Sequence, residues 1–545
     1  MFIPETRKPM RRLLSATVFA VALAGCHKFD SDQMTATLQR TVSAKSAPRY
    51  AADRWKTMQA IYRERSYAPI WLDKEHPRQP AKDLIDALTS AENQGLRMRD
   101  YDLPGLRSAL DQAYHQGKTT PQDLANLDLR LTSLFLDYGK DLLTGRLDPS
   151  AVDSGWYIRS RRSSVDSTLR MAIREGDFKS MIRPLVPQQK EYGELVGWLE
   201  KYRELAQNGG WPSVKTARDT AALRARLAAT ADIDGGAALA DGVRHFQARH
   251  GLEATGKVDT ATLKELNVPI GTRIRELELN LERLRWLPAN FGDRYVLVNI
   301  PDFTLHAYDG GKEVLNMRVV VGDEYGHATP VFADTLSQVV FNPYWNVPSS
   351  IVKAEILPKV QSDPHYLEAH HYEVVKANSD EVLSPSSIDW KDVDTTKLDI
   401  GVRQKPGEDN ALGRVKFMFP NQFNIYMHDT PARSLFAKNA RSLSHGCVRL
   451  QHPEEFANYV FSGDPAWAPE KVHEAFESDS NRTVPVKRKL PVYIVYLTAF
   501  VRDGQLQFRD DLYGSDARAI SRLGQPVADS GLDSARAALR KLLKS

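Results

Sequence analysis

Cysteine is nearly absent from this chain, which holds Cys26 and Cys447 as the only two thiols among its 545 residues. An excess of one charge is lacking as well, since 73 basic and 69 acidic side chains leave a net charge of +4. No block of Lys or Arg resembles a stripe that follows phosphates, so we expect no nucleic-acid partner. A chain of this length exceeds one hydrophobic core, and two to four domains are expected.

Apolar runs long enough for a permanent membrane helix are also missing. Residues 13–23 are apolar and follow a basic segment, which is the size and order of a signal-peptide core. The run ends at Leu23-Ala24-Gly25-Cys26, which resembles the lipobox of bacterial lipoproteins. We therefore predict a lipoprotein signal peptide over 1–26 with lipidation of Cys26. A plain secretory signal with an accidental cysteine is the alternative.

Lipidation of Cys26 has two consequences. The mature protein is expected in the periplasm of a Gram-negative bacterium, anchored to a membrane by lipid. The outer membrane is favoured because no aspartate retention signal follows the cysteine. Cys447 is then a free thiol in an oxidising compartment, and no structural disulfide is possible.

The rest of the chain divides by composition and periodicity into a multidomain α+β protein. A polar stretch over 27–49 has no persistent apolar face and is predicted to be a flexible tether. Apolar residues at helical spacing predict a helical scaffold over 50–215, in which we find no catalytic constellation. Residues 219–270 predict a three-helix miniature core, with Gly251 at a helix end and Gly256 in a turn.

Beyond a helix at 272–286 the apolar period changes to two. Strands are predicted from Tyr295 onward, and 271–505 forms a β-rich domain of mixed sheets. The chain leaves this pattern over about 350–413, which we interpret as an insertion that caps the site, with a decorated loop as the alternative. Residues 506–545 are predicted to be a C-terminal tail.

The chemistry of this chain is concentrated in Ser444-His445-Gly446-Cys447, with His428 nineteen positions before the cysteine. If 443–450 is extended, His445 and Cys447 share one face. A Cys/His pair that shares a proton supplies a thiolate for attack and an imidazolium that protonates a leaving amine. The amides of Gly446 and Cys447 are candidates for the oxyanion. Spacing leaves open which histidine is the base.

Two patterns carry a family resemblance. The order V-x-x-F-Q-x-x-x-G-L-x-x-T-G over 243–256 resembles the type 1 peptidoglycan-binding domain. Met427-His428-Asp429-Thr430 followed by Ser444 to Leu450 resembles the signature of L,D-transpeptidases with a YkuD-type catalytic domain, and Phe341 to Pro348 looks like their large periplasmic members. Those members also carry a helical scaffold, a peptidoglycan-binding module and a capping insertion.

The resemblance implies a reaction on peptidoglycan. Cys447 attacks the carbonyl of the third-position diaminopimelate in a tetrapeptide stem, expels D-alanine, and passes the acyl group to a neighbouring amine as a 3-3 cross-link. His428 takes the role of general base and His445 a supporting one. The candidate residues for substrate binding are Arg449, Tyr344, Trp345 and Ser444. Arg449 stands where many members have Asn, and Arg can hold a carboxylate bidentately.

Three alternatives remain open. A hydrolase with the same thioester, either a carboxypeptidase or an enzyme that detaches proteins from the wall, differs only in using water as acceptor. A non-enzymatic wall tether would not need Cys447. A metallopeptidase is disfavoured because the histidines match no ligand spacing, so no metal and no cofactor is expected. The expected partners are peptidoglycan stems, glycan and a membrane, and the protein is expected to be monomeric.

Overall fold

The computed structural model describes residues 31–47, 49–73, 76–115, 119–161, 163–376, 379, 381–391 and 400–524. The predicted signal peptide, with Cys26, lies outside the described residues. Within the described ranges, no helix combines the length and the apolar character that crossing a membrane requires.

The N-terminal part of the chain is helical, as its apolar periodicity predicts. Its longest helix begins with a capping box in which Thr120 and Asp123 bond each other's backbone N–H, and it ends before Gly145. Both signals are local, which is why the sequence predicts this helix well. The helices are α1 (Ser31–Val42), α2 (Ala52–Glu64), α3 (Gln79–Thr89), α4 (Leu103–His115), α5 (Pro121–Thr144), α6 (Pro149–Val152), α7 (Val165–Glu175), α8 (Phe178–Ile182) and α9 (Lys190–Gln207).

A buried carboxylate organises the core around α5. Asp128 accepts the backbone N–H groups of Ile70, Trp71 and Leu72 at 2.9 to 3.1 Å. The Tyr62 hydroxyl donates to the same carboxylate at 2.5 Å. One side chain therefore satisfies three amides of an irregular segment that no helix or strand would pair.

The flexible tether predicted over 27–49 is wrong for its described part. Residues 31–42 form α1, and Met34, Leu38 and Val42 are buried against the scaffold core. These three apolar residues are spaced by four, so they line one stripe of a helix. The polar residues between them conceal that stripe when composition alone is considered.

The small module has the three helices that the sequence predicts: α10 (Thr220–Ala229), α11 (Leu239–Arg249) and α12 (Thr260–Leu266). Leu227, Val243, Phe246 and Leu266 fill its core. Gly251 follows α11 with a φ of 69°, in the left-handed region that glycine adopts readily.

The C-terminal domain is built on a large sheet preceded by α13 (Ile270–Trp286). The sheet order is β11-β3-β12-β10-β9-β4-β13-β1-β2, and β2 also pairs with β3, so the sheet closes on itself with β11 attached beside β3. The predicted α+β fold class is confirmed. The strands are β1 (Tyr295–Asn299), β2 (Thr304–Asp309), β3 (Lys312–Gly322), β4 (Phe332–Phe341), β5 (Trp345–Asn346), β6 (Tyr372–Lys376), β7 (Val382–Leu383), β8 (Ile400–Gln404), β9 (Val415–Met418), β10 (Met427–His428), β11 (Ser442–Ser444), β12 (Val448–Leu450), β13 (Arg482–Val495), β14 (Ala499–Arg502) and β15 (Gln505–Phe508).

The segment between β5 and β9, predicted to be an insertion, forms a subdomain with its own sheet and core. The sheet order is β5-β8-β6-β7. Its helices are α14 (Ser349–Ile351), α15 (Leu357–Ser362) and α16 (Tyr366–Ala369), and a single π-helical turn, Val352–Ile356, joins the first two. Ile356, Val360 and Val374 are buried inside this subdomain rather than in the main core.

The C-terminal tail predicted from residue 506 is also wrong for its described part. Leu506 and Phe508 on β15 are buried, and β15 pairs with β14. After α17 (Pro453–Phe461) and α18 (Pro469–Glu477), the last described helix is α19 (Ser515–Gly524), where Ala519 is buried in the main core. Asp516 of α19 forms an ion pair with the buried Arg283 of α13 at 2.7 Å. Residues 525–545 lie outside the described residues.

Candidate active site

Three adjacent strands of the large sheet carry the candidate active site. His428 on β10 lies opposite Lys416 on β9 and opposite Arg449 on β12, so these side chains form one row across the strands. β10 and β12 are parallel, and His428 pairs with Arg449. Two residues earlier on each strand, on the same face of the sheet, Tyr426 therefore lies beside Cys447. The cross-strand neighbour of the thiol is therefore a tyrosine, and His428 belongs to the next row.

The segment 443–450 is not one extended strand. β11 and β12 are separated by a turn in which Gly446 has a φ of 108°. The positive φ favours glycine here, and a Cβ would lie 3.0 Å from Cδ1 of Ile425, so that side chain would also have to shift by a few tenths of an ångström. The condition under which His445 and Cys447 would share one face, an extended strand over 443–450, is not met, because the turn interrupts the alternation of side chains.

Ser444 holds this turn together. Its hydroxyl donates to the Cys447 carbonyl at 2.6 Å and accepts the Gly446 N–H at 3.1 Å. The Thr329 hydroxyl donates to the Gly446 carbonyl at 2.7 Å. The Gly446 N–H is therefore already bonded in the free protein, and its role at an oxyanion stays a prediction, as does that of the Cys447 amide. Ser444 is buried and bonded within the turn, and its role in substrate binding also stays a prediction.

The thiol of Cys447 is partly exposed. The Tyr426 side chain lies beside this thiol and acts to lower its pKa, and the Trp345 side chain lies near the Tyr426 hydroxyl. The backbone carbonyl of Asn424 lies 3.8 Å from Sγ. Trp345, predicted to bind substrate, is thus connected to the nucleophile through Tyr426.

Opposing effects set the protonation of this thiol. Cys447 keeps some exposed surface, but desolvation of its sulfur by the surrounding side chains raises the pKa of Cys447 above the ordinary range, while Tyr426 and the positive charges of Lys416 and Arg449 act to lower it. A thiol with a raised pKa is mainly protonated at neutral pH, so attack on a carbonyl requires a proton acceptor.

His428 is buried and does not bond the thiol. Its Nδ1 lies against the Asp429 carbonyl. Burial, followed by the positive charges of Arg449 and Lys416, lowers the pKa of His428 to about 3. The imidazole is therefore neutral over the physiological range. Its role as the base stays a prediction.

His445 is exposed and contacts the insertion. Its Nε2 lies 2.9 Å from Oε1 of Glu355, in the π-helical turn. Its ring meets the ring of His327 edge-on with centroids 4.4 Å apart, and His327 Nδ1 lies 3.1 Å from Asp323. The two histidines thus each have a carboxylate partner, and one of these carboxylates comes from the insertion.

Arg449 is a half-buried cation beside the thiol. Its Nε has no hydrogen-bond partner within the described ranges. Burial lowers the pKa of Arg449, whereas the negative charges of Cys447 and then Glu355 act to raise it. A desolvated guanidinium with an unpaired donor suits a carboxylate ligand. Tyr344, in contrast, lies with its ring 4.5 Å from the guanidinium of Arg403 on β8, so it packs within the insertion.

Sequence reasoning missed three residues of the site: Lys416, Tyr426 and Glu355. The first two had a usable signal, since each lies in or next to a predicted strand and Tyr426 precedes His428 by two positions, on the same face. Glu355 had none, because a helical insertion carries several equivalent carboxylates. In the part of the chain that the structure describes, no group of three or more His, Cys, Asp or Glu side chains is arranged to hold a metal ion.

Comparisons with known proteins agree with this architecture. Family models match over residues 293–471 ("L,D-transpeptidase catalytic domain"), 222–266 ("Putative peptidoglycan binding domain") and 56–199 ("Scaffold domain"). The chain therefore carries a YkuD-type L,D-transpeptidase catalytic domain together with a peptidoglycan-binding domain and a scaffold domain.

Two individual proteins are similar over part of the chain. A protein of Haemophilus influenzae named "Putative L,D-transpeptidase" is 36% identical over 255 residues, which is 47% of this chain and 50% of the relative. The chain thus matches about half the length of that curated relative. A solved structure described as "Structure of the Ldtfm-avibactam carbamoyl enzyme" is 11% identical over 42% of this chain and 64% of its own, with a TM-score of 0.15. At that score the likeness carries no argument.

Proposed function

We propose that this chain is a peptidoglycan L,D-transpeptidase that acts through a thioester on Cys447. The observation that carries the proposal is the partly exposed thiol beside the Tyr426 hydroxyl, with Lys416 and Arg449 as its cationic neighbours. A hydroxyl donor and two cations stabilise the thiolate that the attack requires.

The donor substrate is a tetrapeptide stem. The sulfur of Cys447 forms a bond to the carbonyl carbon of the third-position diaminopimelate, and the bond from that carbon to the nitrogen of D-alanine breaks. D-alanine leaves with a proton on its amine. The Cys447 amide is the candidate donor to the oxyanion, and Arg449 binds a carboxylate of the stem. An amine of a second stem then attacks the thioester and gives the 3-3 cross-link.

The family resemblance assigns His428 as the base of the first step. What supports it is proximity, since His428 occupies the row next to the thiol. A neutral imidazole can accept a proton, and donation of Nδ1–H to the Asp429 carbonyl leaves Nε2 as the acceptor, but the low pKa weakens this histidine as a base in the free enzyme. The role therefore requires that substrate binding change this environment.

The experiment is incubation of the protein with disaccharide tetrapeptide, followed by intact-mass analysis and product analysis. We expect a thioester adduct, released D-alanine and a dimer. Cys447→Ala should lose all three, because the sulfur of this residue carries the acyl group. Dimer formation by Cys447→Ala would contradict the mechanism, and unchanged wall association of a protein that forms no adduct would favour the tether.

A hydrolase with the same thioester differs in one product. Release of tripeptide without dimer, at saturating acceptor, would assign water as the natural acceptor. The exposed side of the thiol gives room for either acceptor, so this measurement decides between them.

The anchor and the compartment are part of the same proposal. Lipidation at Cys26, a periplasmic location and a monomeric state follow from the signal sequence and the resemblance. The wild-type protein should incorporate labelled palmitate, and Cys26→Ser should not. Equal labelling of the wild-type protein and the variant would contradict lipidation at Cys26.

A further inference from the structure

The pair formed by His445 and Glu355 is not used in the acylation step proposed above. Its geometry is that of an oriented imidazole: the 2.9 Å contact joins Nε2 to the Glu355 carboxylate. With Nε2–H donated to the carboxylate, Nδ1 is the free acceptor of the neutral ring. A carboxylate that fixes the tautomer of a histidine is the arrangement used by general bases.

The pair also lies next to the nucleophile. His445 is two positions before Cys447 in the same turn, and the charge of Arg449 acts on both the thiol and Glu355. His445 is 40% exposed at its side chain, so an incoming molecule can reach it. The other charged or titratable groups at this ring are His327 and, behind it, Asp323.

The two histidines of the site therefore differ in access. His428 is buried, and Nδ1 already contacts a carbonyl. His445 is open to solvent and is held by a carboxylate. An acyl acceptor arrives from solvent after the leaving group has departed, so the exposed histidine is the one positioned to meet it.

We propose that His445 is the base for the acyl acceptor and that Glu355 of the insertion is its positioning residue. This inference rests on the proposed function. The acceptor arrives as an ammonium and gives one proton to Nδ1 of His445. The neutral amine forms the new C–N bond, the C–S bond breaks, and the second amine proton restores the thiol of Cys447.

The π-helical turn gives this assignment a structural reason. Glu355 lies within the turn Val352–Ile356, where the wider helix changes the direction of its side chains. The insertion therefore contributes more than cover, since it supplies the carboxylate that completes the second half of the reaction.

The test separates the two half-reactions of the full-length protein. Acylation is followed by intact mass with tetrapeptide donor alone, and transfer is followed after addition of a stem-peptide amine. Glu355→Gln should form the thioester at the wild-type rate within about two-fold, and should transfer it at least about ten-fold more slowly. Glu355→Asp should recover part of the transfer rate. Glu368→Gln, an exposed carboxylate of the same insertion, is the matched control and should leave both rates unchanged.

Hydroxylamine distinguishes a base from a structural contact, because it is mainly unprotonated at neutral pH and does not need deprotonation before attack. Glu355→Gln and His445→Gln should therefore retain transfer to hydroxylamine while losing transfer to the stem amine. Equal loss with both acceptors, or equal loss of acylation and transfer, would overturn the inference. Absence of a thioester in the wild-type protein would overturn the proposed function, and this inference with it.

Discussion

Tyr426 places a hydroxyl group against the nucleophile, and its effect on the thiol is measurable. The backbone of Tyr426, and after it the hydroxyl, counteract the rise in the thiol pKa that burial causes at Cys447. A hydrogen bond to a charged group contributes about 1.5 to 3 kcal/mol, and 1.36 kcal/mol corresponds to one pKa unit. Tyr426→Phe should therefore raise the pKa of Cys447 by about one unit or more, and slow its alkylation at neutral pH by about ten-fold.

The measurement is the pH dependence of iodoacetamide alkylation, read by mass spectrometry on the peptide that contains Cys447. Tyr157→Phe is the control, because Tyr157 is exposed and contacts the ring of Phe423 rather than the thiol. An unchanged alkylation profile for Tyr426→Phe would show that the hydroxyl does not stabilise the thiolate.

Residue identity alone was enough to select Cys447, since a lone free thiol with two histidines close by in the chain is typical of a cysteine nucleophile. It was not enough to assign the neighbours. Gly446 and Ser444 were expected to face the substrate, but their polar groups bond each other and close the turn. The conformation of a four-residue turn depends on which hydrogen bonds form locally, and several sets are compatible with the same residues.

Helix α1 is the element for which the prediction from composition, a flexible tether, was wrong. Leu38 is fully buried between the scaffold helices, whereas Gln39, its neighbour, is exposed. Replacing a buried leucine by alanine costs about 2 to 5 kcal/mol, from lost transfer energy and the cavity that remains. Leu38→Ala should therefore lower the thermal unfolding temperature of the scaffold, while Gln39→Ala should leave it within experimental error. If the segment were a tether, both substitutions would have no effect.

At the level of elements, periodicity predicted the main helices and most strands correctly, because helix caps and alternation are local properties. The predicted boundaries of elements were wrong where an element is short or its apolar stripe is narrow. The apolar stripe of α1 consists of every fourth residue, and β15 is four residues long, so neither stands out from a polar background. Burial against distant elements, rather than propensity, stabilises both.

At the scale of the whole molecule, the peptidoglycan-binding module packs against the catalytic domain. The His250 ring stacks between Phe246, with centroids 3.8 Å apart, and Phe508 of β15, with centroids 5.5 Å apart. The Arg249 guanidinium donates to the Leu506 carbonyl at 3.1 Å. These contacts fix the distance and direction between this module and the candidate active site.

Phe508→Ala should release this contact. Truncation of a buried phenylalanine costs about 3 to 5 kcal/mol, and each 1.4 kcal/mol is a factor of about ten in an equilibrium constant. Amide hydrogen exchange in α11 should therefore accelerate at least about ten-fold, while exchange in α5 stays constant. Val314→Ala, an exposed apolar residue on β3, should change neither helix. Equal acceleration in α5 would indicate general destabilisation instead of undocking.

The sequence by itself determined the candidate nucleophile, the order of the helical and β-rich parts, and the existence of an insertion, because each leaves a local pattern of residue types. Only the tertiary structure decided which groups surround the thiol. Lys416, Tyr426 and Glu355 are distant from Cys447 along the chain, and strand pairing and the insertion bring them to the site. Burial then sets their protonation, and burial depends on every element that packs around the site.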